Sequence, residues 1–546
     1  MSPATLTSAD LKGQGNALFA AKNFAEAEIK YTKAIAATDE AADSKELAVL
    51  YSNRAQCRLS LKRPALMDAE RDATKATELD PTYARAFARL AMARERLSDY
   101  PGSKESWQRA LDALPAANPT KAEQLQRLHY EASLEATTAT MAKLESRVIG
   151  GDDDTVTGRS QIPPPWELAA NVIRRMRNEN PQNFTPVQRL SSAWMIHYAH
   201  KDFIEAIDSM VHNRSAVTPK LALDNLTNGI MRDRRVIQLH DDFLTDYDKQ
   251  MDIEAHKYRA WTYDGPELVI RQALARQREE GWNAVRPAVS TTIRGWIMKA
   301  FLSSGLYKQH HLAVEFYKNC LQVLSELREH WRLESTTDRG VVFEPSFIFG
   351  ISNMYLDAIM QAADSDPSIE LLELLEEESN QLIRRVDLSL NRPLALPEHC
   401  EDLGIYSSFY VYPRGHAYAM QGFYYKKMST RTGNDREEFS RKSALAYLTA
   451  AQCFPQDDEL HPWFLKIALE TMLNAGSFSV RELLDVMTRI RTSVPKAKEI
   501  WARSTLGTNI WSEFESVTKQ ERELRTRVVQ GKYTMDVCIG PEAIAL

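Results

Sequence analysis

The sequence has 546 residues, of which 44% are hydrophobic and 26% are charged, as in a globular protein with several domains or one extended repeat array. A formal net charge of −6 argues against a nucleic-acid-binding protein that relies on bulk positive potential. No apolar stretch approaches the roughly 20 residues that span a bilayer, and the first residues lack a secretory-signal pattern. Five scattered cysteines without a CxxC pair fit a reducing compartment, so the expected location is cytoplasmic.

A repeat of roughly 34 residues runs through the N-terminal part of the chain. Its copies share alanines where paired helices approach closely, aromatic residues that fill the space between neighbouring hairpins, and prolines after the second helix. The clearest positions are Leu11, Gly15, Phe24, Ala27, Tyr31 and Ala34, then Tyr51, Ala55, Ala69, Ala73 and Pro81, then Tyr83, Phe87, Tyr100, Trp107 and Pro115. The pattern predicts three consecutive helical hairpins.

Five polar residues recur on the first helices of these hairpins, namely Lys12, Asn16, Asn53, Arg85 and Arg89. Lys12 and Asn16 are four positions apart, as are Arg85 and Arg89, so each pair shares one helix face. If the hairpins stack, all five converge on one concave groove. Any one of them alone is more simply a solvated surface residue, but the combination favours a site that binds a carboxylate.

The segment resembles the three-repeat tetratricopeptide module of heat-shock co-chaperones, over about residues 9–145. The resemblance is carried by the phrases Leu11-Lys12-x-x-Gly15-Asn16, Tyr51-Ser52-Asn53-Arg54 and Ala84-Arg85-Ala86-Phe87-Ala88-Arg89. In that family the five polar positions form a carboxylate clamp. The clamp binds the acidic C-terminal tails of heat-shock chaperones of the seventy- or ninety-kilodalton class.

The resemblance also implies a role for each residue of the site. The terminal carboxylate and its aspartate would be held by Lys12, Asn16, Asn53 and Arg89. Arg85 would reach the aspartate side chain or a backbone carbonyl, and Phe19 would select side chains further upstream. The family usually has lysine at the position of Arg85; arginine keeps the charge and adds a fork that can grip a carboxylate in two places.

Beyond the repeats, the composition predicts a capping helix from about Lys121 to Glu145 and then a linker rich in glycine, aspartate and proline. The rest of the chain has the apolar periodicity of helices. Three degenerate hairpins there, at about 290–321, 415–455 and 463–495, predict a second array. The predicted fold is all-α: an N-terminal three-repeat tetratricopeptide superhelix with a capping helix, plus a C-terminal tetratricopeptide-like α-solenoid. The predicted domains are 1–148, the linker 149–165, the helical domain 166–530 and a C-terminal tail 531–546.

Two segments of the C-terminal half are predicted to be long loops, 333–345 and 387–412. The second contains Phe409-Tyr410-Val411-Tyr412-Pro413. Binding and catalytic residues concentrate in such loops, although a packed irregular segment is the simpler interpretation.

A search for an active site finds only weak patterns. His197 and His200, three positions apart, could share a metal, but no nearby carboxylate or cysteine completes a ligand set. His240-Asp241-Asp242 resembles the His-Asp pair of helical phosphohydrolases, and such a short string arises easily by chance. The sequence has no glycine-rich phosphate loop, nucleophile elbow or HExxH motif. No catalytic residue, metal ligand or cofactor is predicted.

The favoured interpretation is a non-enzymatic co-chaperone or adaptor. Its N-terminal groove would bind the tail of a cytosolic heat-shock chaperone, and its C-terminal array would engage a client or another protein partner; no nucleic-acid or membrane partner is predicted. One alternative makes the C-terminal half an all-helical enzyme, which requires a buried cluster of titratable residues around His240 or His197. The other alternative is a scaffold whose groove binds a different C-terminal peptide signal.

Overall fold

The chain is described by a computed structural model. It describes residues 6–38, 44–61, 65–149, 162–179, 184–214, 220–262, 264–366, 368–390, 402–431, 435–507 and 509–543. All regular elements within these ranges are helices, and the one β feature there is an isolated antiparallel bridge between Ser479 and Cys538. The all-α prediction is confirmed.

The chain divides into two compact units. The first comprises Met1–Asp152, Trp261–Ala275 and Gly305–Tyr307, and the second comprises Asp153–Ala260, Arg276–Ser304 and Lys308–Leu546. The predicted domain boundaries therefore stay a prediction, because two short segments from the middle of the chain are grouped with the N-terminal repeats. No helix within the described ranges is both long and apolar enough to cross a lipid bilayer.

The first unit contains three helical hairpins followed by one long helix. Its helices are α1 (Ser8–Ala20), α2 (Phe24–Ala36), α3 (Ser44–Ser60), α4 (Leu66–Leu79), α5 (Ala84–Arg96), α6 (Tyr100–Asp112) and α7 (Lys121–Ile149). The hairpins α1–α2, α3–α4 and α5–α6 are the three predicted repeats, and α7 is the predicted capping helix.

Small side chains bring the two helices of each hairpin close together. Ala27, Ala73 and Ala110 are completely buried. At Gly15 the approach is closer still, since a Cβ atom there would lie 2.8 Å from the ring of Tyr31. Only glycine lets the tyrosine ring approach α1 so closely, so the Gly15–Tyr31 pair sets the spacing of the first hairpin.

The second unit is also helical. With α13, whose first ten residues belong to the first unit, its helices are α8 (Pro165–Glu179), α9 (Pro186–Arg189), α10 (Ser192–His212), α11 (Leu223–Arg232), α12 (Phe243–Tyr258), α13 (Pro266–Glu280), α14 (Trp282–Gly305), α15 (His310–His330), α16 (Thr336–Arg339), α17 (Pro345–Ser365), α18 (Ile369–Leu390), α19 (Gly404–Tyr406), α20 (Tyr412–Ser429), α21 (Arg436–Cys453), α22 (Leu460–Ala475), α23 (Val480–Trp501) and α24 (Ile510–Val529).

The three hairpins predicted in this half are present as α14–α15, α20–α21 and α22–α23. In α20–α21 a Cβ atom at Gly422 would lie 2.8 Å from the ring of Tyr447, the same glycine–tyrosine contact as in the first hairpin. Pro495, which the repeat pattern places near a helix end, lies inside α23.

The prediction of a loop at 387–412 is wrong at both ends, since residues 387–390 belong to α18. Residues Gly404–Tyr406 are α-helical, Ser407–Val411 form a π-helical turn, and α20 follows directly. Phe409, Tyr410 and Tyr412 are buried, so the aromatic stretch is core. Residues 391–401 of the predicted loop lie outside the described residues. The prediction failed because the proline at 413 occupies the first turn of α20, where its missing N–H costs nothing.

A buried ion-pair network around Arg235 joins several elements of the second unit. Its guanidinium lies 2.7 Å from a carboxylate oxygen of Asp233 and 2.8 Å from one of Asp458, and it stacks over the ring of Trp501 at 3.9 Å. The hydroxyl of Tyr412 donates to the same Asp458, at 2.5 Å. Because every charge has a partner, the network can persist without water.

The last described residues fold back onto the beginning of α23. The backbone N–H groups of Val480 and Arg481 donate to the carbonyl oxygens of Val537 and Met535, both at 2.9 Å. Ile539 is buried against this hairpin. These contacts satisfy two N–H groups at the start of the helix that have no partner within it.

Candidate functional site

Arg89 of α5 reaches across to α3. Its Nη1 atom donates to the hydroxyl oxygen of Ser52 at 2.5 Å and to the amide oxygen of Asn53 at 3.1 Å. A hydrogen bond between two predicted site residues, Arg89 on α5 and Asn53 on α3, therefore joins the first helices of the third and second hairpins. Ser52 is buried and Arg89 is partly buried.

Asn16 is connected to the same cluster through Tyr31. The phenol of Tyr31 donates to the amide oxygen of Asn16 at 2.7 Å. Burial raises the pKa of Tyr31 to about 12, while Arg89 and a hydrogen bond with Asn53 act in the opposite direction. One tyrosine from the first hairpin thus lies beside predicted site residues from all three repeats. Its place is set by the close approach of its ring to Gly15.

The remaining two cations lie at the edges of the cluster. Arg85 is exposed on α5, one helical turn before Arg89. With the amide of Gln126 oriented so that its oxygen faces the guanidinium, that oxygen accepts from Nε of Arg85 at 2.9 Å and from Nη2 at 3.3 Å. The Nζ atom of Lys12 lies 3.8 Å from a carboxylate oxygen of Glu46.

Among the residues that the structure describes, no carboxylate balances the charges of Arg85 and Arg89. Within the described ranges neither guanidinium forms an ion pair. Burial lowers the pKa of Arg89 from its ordinary value, and the positive charge of Arg85 acts in the same direction. A partly buried cation beside a second cation is unfavourable, and a negatively charged ligand would relieve it.

Phe19 lies one turn beyond Asn16 on α1. Its ring packs edge-to-face against Phe24, with 5.2 Å between the ring centroids, and it remains partly exposed. The exposed part of the ring is apolar surface on the same helix as Asn16, and its contact with a ligand stays a prediction.

Sequence reasoning missed several residues of this cluster. Ser52 directly precedes Asn53 but is not part of the polar pattern, and Tyr31 was predicted only to fill space between helices. Gln126 and Tyr130 lie on α7, which has no repeat partner from which to infer its inward face. A search for polar residues four positions apart on that helix could have found them.

The histidines considered as catalytic candidates have ordinary surroundings. Nε2 of His240 lies 3.1 Å from a carboxylate oxygen of Asp246, whose pKa is lowered chiefly by hydrogen bonds from Arg214. The ring of His200 stacks on Trp166 at 4.7 Å, and burial lowers the pKa of His197. In the part of the chain that the structure describes, no group of three or more His, Cys, Asp or Glu side chains could hold a metal ion.

An open cavity of about 240 Å³ lies beside these histidines. It is lined mainly by apolar side chains of α10, together with Trp166, His200 and His240. The side chain of His240 is 33% exposed, whereas that of its partner Asp246 is only 4% exposed. The titratable groups near the two histidines are engaged in ion pairs, of Arg232 with Asp202 and Asp402 near His197 and of Arg214 with Asp246 near His240.

Comparison with known proteins concerns a limited part of the chain. No family model matches the sequence. It is 34% identical over 125 residues to heat shock protein STI1 of Saccharomyces cerevisiae, which covers 23% of this chain and 20% of that protein. It is 33% identical over 103 residues to the heat-shock protein cognate co-chaperone sgt12 of Aspergillus fumigatus, covering 19% of this chain and 28% of that protein.

The solved structure of the Sgt2 TPR domain from Aspergillus fumigatus is 27% identical and covers 28% of this chain and 91% of that chain, with a TM-score of 0.22. The chain spans less than a third of the length of the two relatives above. The three hairpins, the capping helix and the sequence identity agree with one another. The N-terminal repeats of this chain are tetratricopeptide repeats similar to those of heat-shock co-chaperones.

Proposed function

We propose that the groove of the first unit binds the C-terminal tail of a cytosolic heat-shock chaperone, and that the protein is a non-enzymatic co-chaperone or adaptor. Lys12, Asn16 and Asn53 supply donors for the terminal carboxylate, and Arg85 and Arg89 supply positive charge. Phe19 contacts an apolar side chain upstream. The second unit then brings a client or another protein to the chaperone.

The observation that carries this proposal is the unbalanced charge of Arg85 and Arg89. Arg89 is held by two neutral oxygen atoms, of Ser52 and Asn53, so its positive charge is left for a ligand. A free C-terminus offers a carboxylate that occurs once per chain. Charge-assisted hydrogen bonds to such a group contribute about 1.5–3 kcal/mol each.

A few such bonds give only micromolar affinity after the cost of ordering a flexible tail is subtracted. Weak binding of this kind suits an adaptor that must release its chaperone. The relatives support the same class of function, since one is named as a heat shock protein and another as a co-chaperone.

The test is a titration of the full chain with a fluorescent peptide that ends in Glu-Glu-Val-Asp, as free acid and as C-terminal amide. We expect micromolar binding of the acid and at least about tenfold weaker binding of the amide. Equal affinity for the two peptides would exclude the proposed carboxylate site.

A matched peptide that ends in Glu-Glu-Val-Leu separates a chaperone tail from other C-terminal signals. This peptide lacks the aspartate side chain that Arg85 or Arg89 would bind. It should therefore compete poorly with the peptide that ends in aspartate. If it competes equally well, the groove recognises a terminal carboxylate without preferring an acidic last residue, and the scaffold interpretation takes precedence.

A further inference from the structure

The capping helix α7 presents two polar residues beside the two arginines of α5. Gln126 and Tyr130 are four positions apart and share one face of α7, as Arg85 and Arg89 share one face of α5. Gln126 meets Arg85, so the next turn of α7 brings Tyr130 to the level of Arg89.

Gln126 determines where the guanidinium of Arg85 lies. Its amide oxygen can accept from two nitrogen atoms of that group, at 2.9 and 3.3 Å. An arginine side chain is long and loses rotamer freedom when it binds a ligand. A neutral acceptor that already holds the side chain reduces the conformational entropy that is lost on binding. Because the acceptor is uncharged, the positive charge stays available to a ligand.

Tyr130 has a buried ring, and its hydroxyl oxygen is open to solvent. Its side chain is only 5% exposed, and its ring packs against Trp107 with 5.5 Å between centroids. Its hydroxyl makes no hydrogen bond within the part of the chain that the structure describes. Burial raises the pKa of this phenol, whereas the nearby charges of Arg85 and Arg89 lower it, which places it next to the cationic part of the groove.

A phenol hydroxyl that is open to solvent can donate its hydrogen bond to water, and a bound anion can take the place of that water as the acceptor. The two arginines of α5 cannot accept a hydrogen bond from this hydroxyl. A carboxylate bound to the arginines would supply an acceptor.

We propose that α7 is part of the binding site and not only a cap. The Tyr130 hydroxyl donates a hydrogen bond to the carboxylate that Arg85 and Arg89 bind, and Gln126 is a positioning residue that acts through Arg85. This inference rests on the proposed function, because it assigns two further residues to the same ligand.

The first test is Tyr130→Phe in the full chain, which removes the hydroxyl and keeps the ring packed on Trp107. We expect about 3- to 10-fold weaker binding of the Glu-Glu-Val-Asp acid, with an unchanged thermal midpoint. Tyr51→Phe is the matched control, because Tyr51 lies beneath the Arg54 guanidinium, which pairs with Asp72 of α4. That control should bind like the unaltered chain.

The second test is a double-mutant cycle of Gln126→Leu with Arg85→Ala. If Gln126 acts through Arg85, then Gln126→Leu weakens binding about 3- to 10-fold in the unaltered chain and has no effect once Arg85 is alanine. A merely structural role for Gln126 would give the same loss in both backgrounds and would overturn its assignment.

The two proposals fail differently. If the unaltered chain prefers the acid to the amide but Tyr130→Phe binds equally well, the tyrosine assignment is wrong and the clamp stands. If the unaltered chain does not distinguish acid from amide, the carboxylate site itself is absent and the inference falls with it.

Discussion

Nη1 of Arg89 lies 3.1 Å from the amide oxygen of Asn53, a residue 36 positions earlier in the chain. The contact joins two neighbouring repeats and holds the guanidinium before any ligand arrives. For the proposed ligand, less side-chain freedom would then be lost on binding.

Arg89→Ala should therefore weaken binding of the acidic peptide by about 1–3 kcal/mol, because the variant loses a charged donor near the terminal carboxylate. Fluorescence anisotropy of the labelled peptide measures the change. Arg109→Ala is the control: Arg109 is exposed on α6 and pairs with Glu105 at 2.7 Å. An equal loss in both variants would mean that general positive charge, and not the groove, attracts the peptide.

Affinity for the acidic peptide should fall as salt is added. Arg85 is exposed, so its interaction with a carboxylate is screened at physiological ionic strength. The slope of the logarithm of the affinity against the logarithm of salt concentration should become shallower in Arg85→Ala. A slope that is the same in both proteins would remove Arg85 from the ligand contacts.

Two glycines of α1 give opposite predictions for the same substitution. A Cβ atom at Gly15 would lie 2.8 Å from the Tyr31 ring, whereas one at Gly13 would meet nothing within 4 Å. Gly15→Ala should destabilise the first hairpin by about 1–3 kcal/mol through overpacking. Gly13→Ala should stabilise it by roughly 0.5–1 kcal/mol, because alanine is the better helix former.

Hydrogen exchange of the amides in α1 and α2, followed by mass spectrometry, measures both effects locally. Faster exchange in Gly15→Ala and slower exchange in Gly13→Ala is the expected pair of results. Similar exchange in both variants would show that the Tyr31 ring moves aside at little cost.

The repeats were predictable because their packing rules are local. Gly15 precedes Tyr31 by 16 positions and Gly422 precedes Tyr447 by 25, and in each hairpin the ring lies on the glycine. Small and aromatic residues at such spacings need no knowledge of the rest of the fold.

The other parts of the site depend on contacts between elements that no spacing reveals. Gln126 meets Arg85 from a helix outside the repeat, and only the packing of α7 brings it there. The network around Arg235 was missed for a similar reason, because its partners Asp233 and Asp458 are far apart in the chain. The π-helical turn was missed because its residues match the helical and the loop patterns equally well.

Arg235→Ala should destabilise the second unit by roughly 3–5 kcal/mol, because it leaves Asp233 and Asp458 buried without their cation. Urea unfolding followed by tryptophan fluorescence measures the loss. Arg481→Ala is the control: it removes an exposed pair with Asp536, and its expected effect is less than about 1 kcal/mol. Equal effects would show that water compensates the buried carboxylates.

The second unit should lose stability in mild acid through His416. Burial and the charges of Arg234 and Arg235 lower the pKa of His416 from 6.5 to about 4. Below pH 6.5 the unfolded chain takes up a proton on this imidazole, while the folded chain does not until about pH 4. The stability present above pH 6.5 is therefore lost as the pH falls towards 4.

Replacing this histidine, His416→Gln, should make the free energy of unfolding less dependent on pH between 6.5 and 4. The slope of the free energy of unfolding against pH should decrease by up to about 1.4 kcal/mol per pH unit, which corresponds to the uptake of one proton on unfolding. His311 has 62% of its side chain exposed, so His311→Gln should leave the slope unchanged. An unaltered slope in His416→Gln would mean that the imidazole is protonated in the folded protein.

The π-helical turn at Ser407–Val411 changes the rotational phase of the helix around it. One residue of an α-helix corresponds to about 100° of rotation. Each side chain that follows the π-helical turn therefore has the direction that the adjacent residue would have in an uninterrupted helix. Phe409 faces the guanidinium of Arg232, and Tyr412 reaches Asp458. An alignment with a helix that lacks the turn therefore needs a one-residue gap at this point; without it, every position downstream would be matched to the wrong side of the helix.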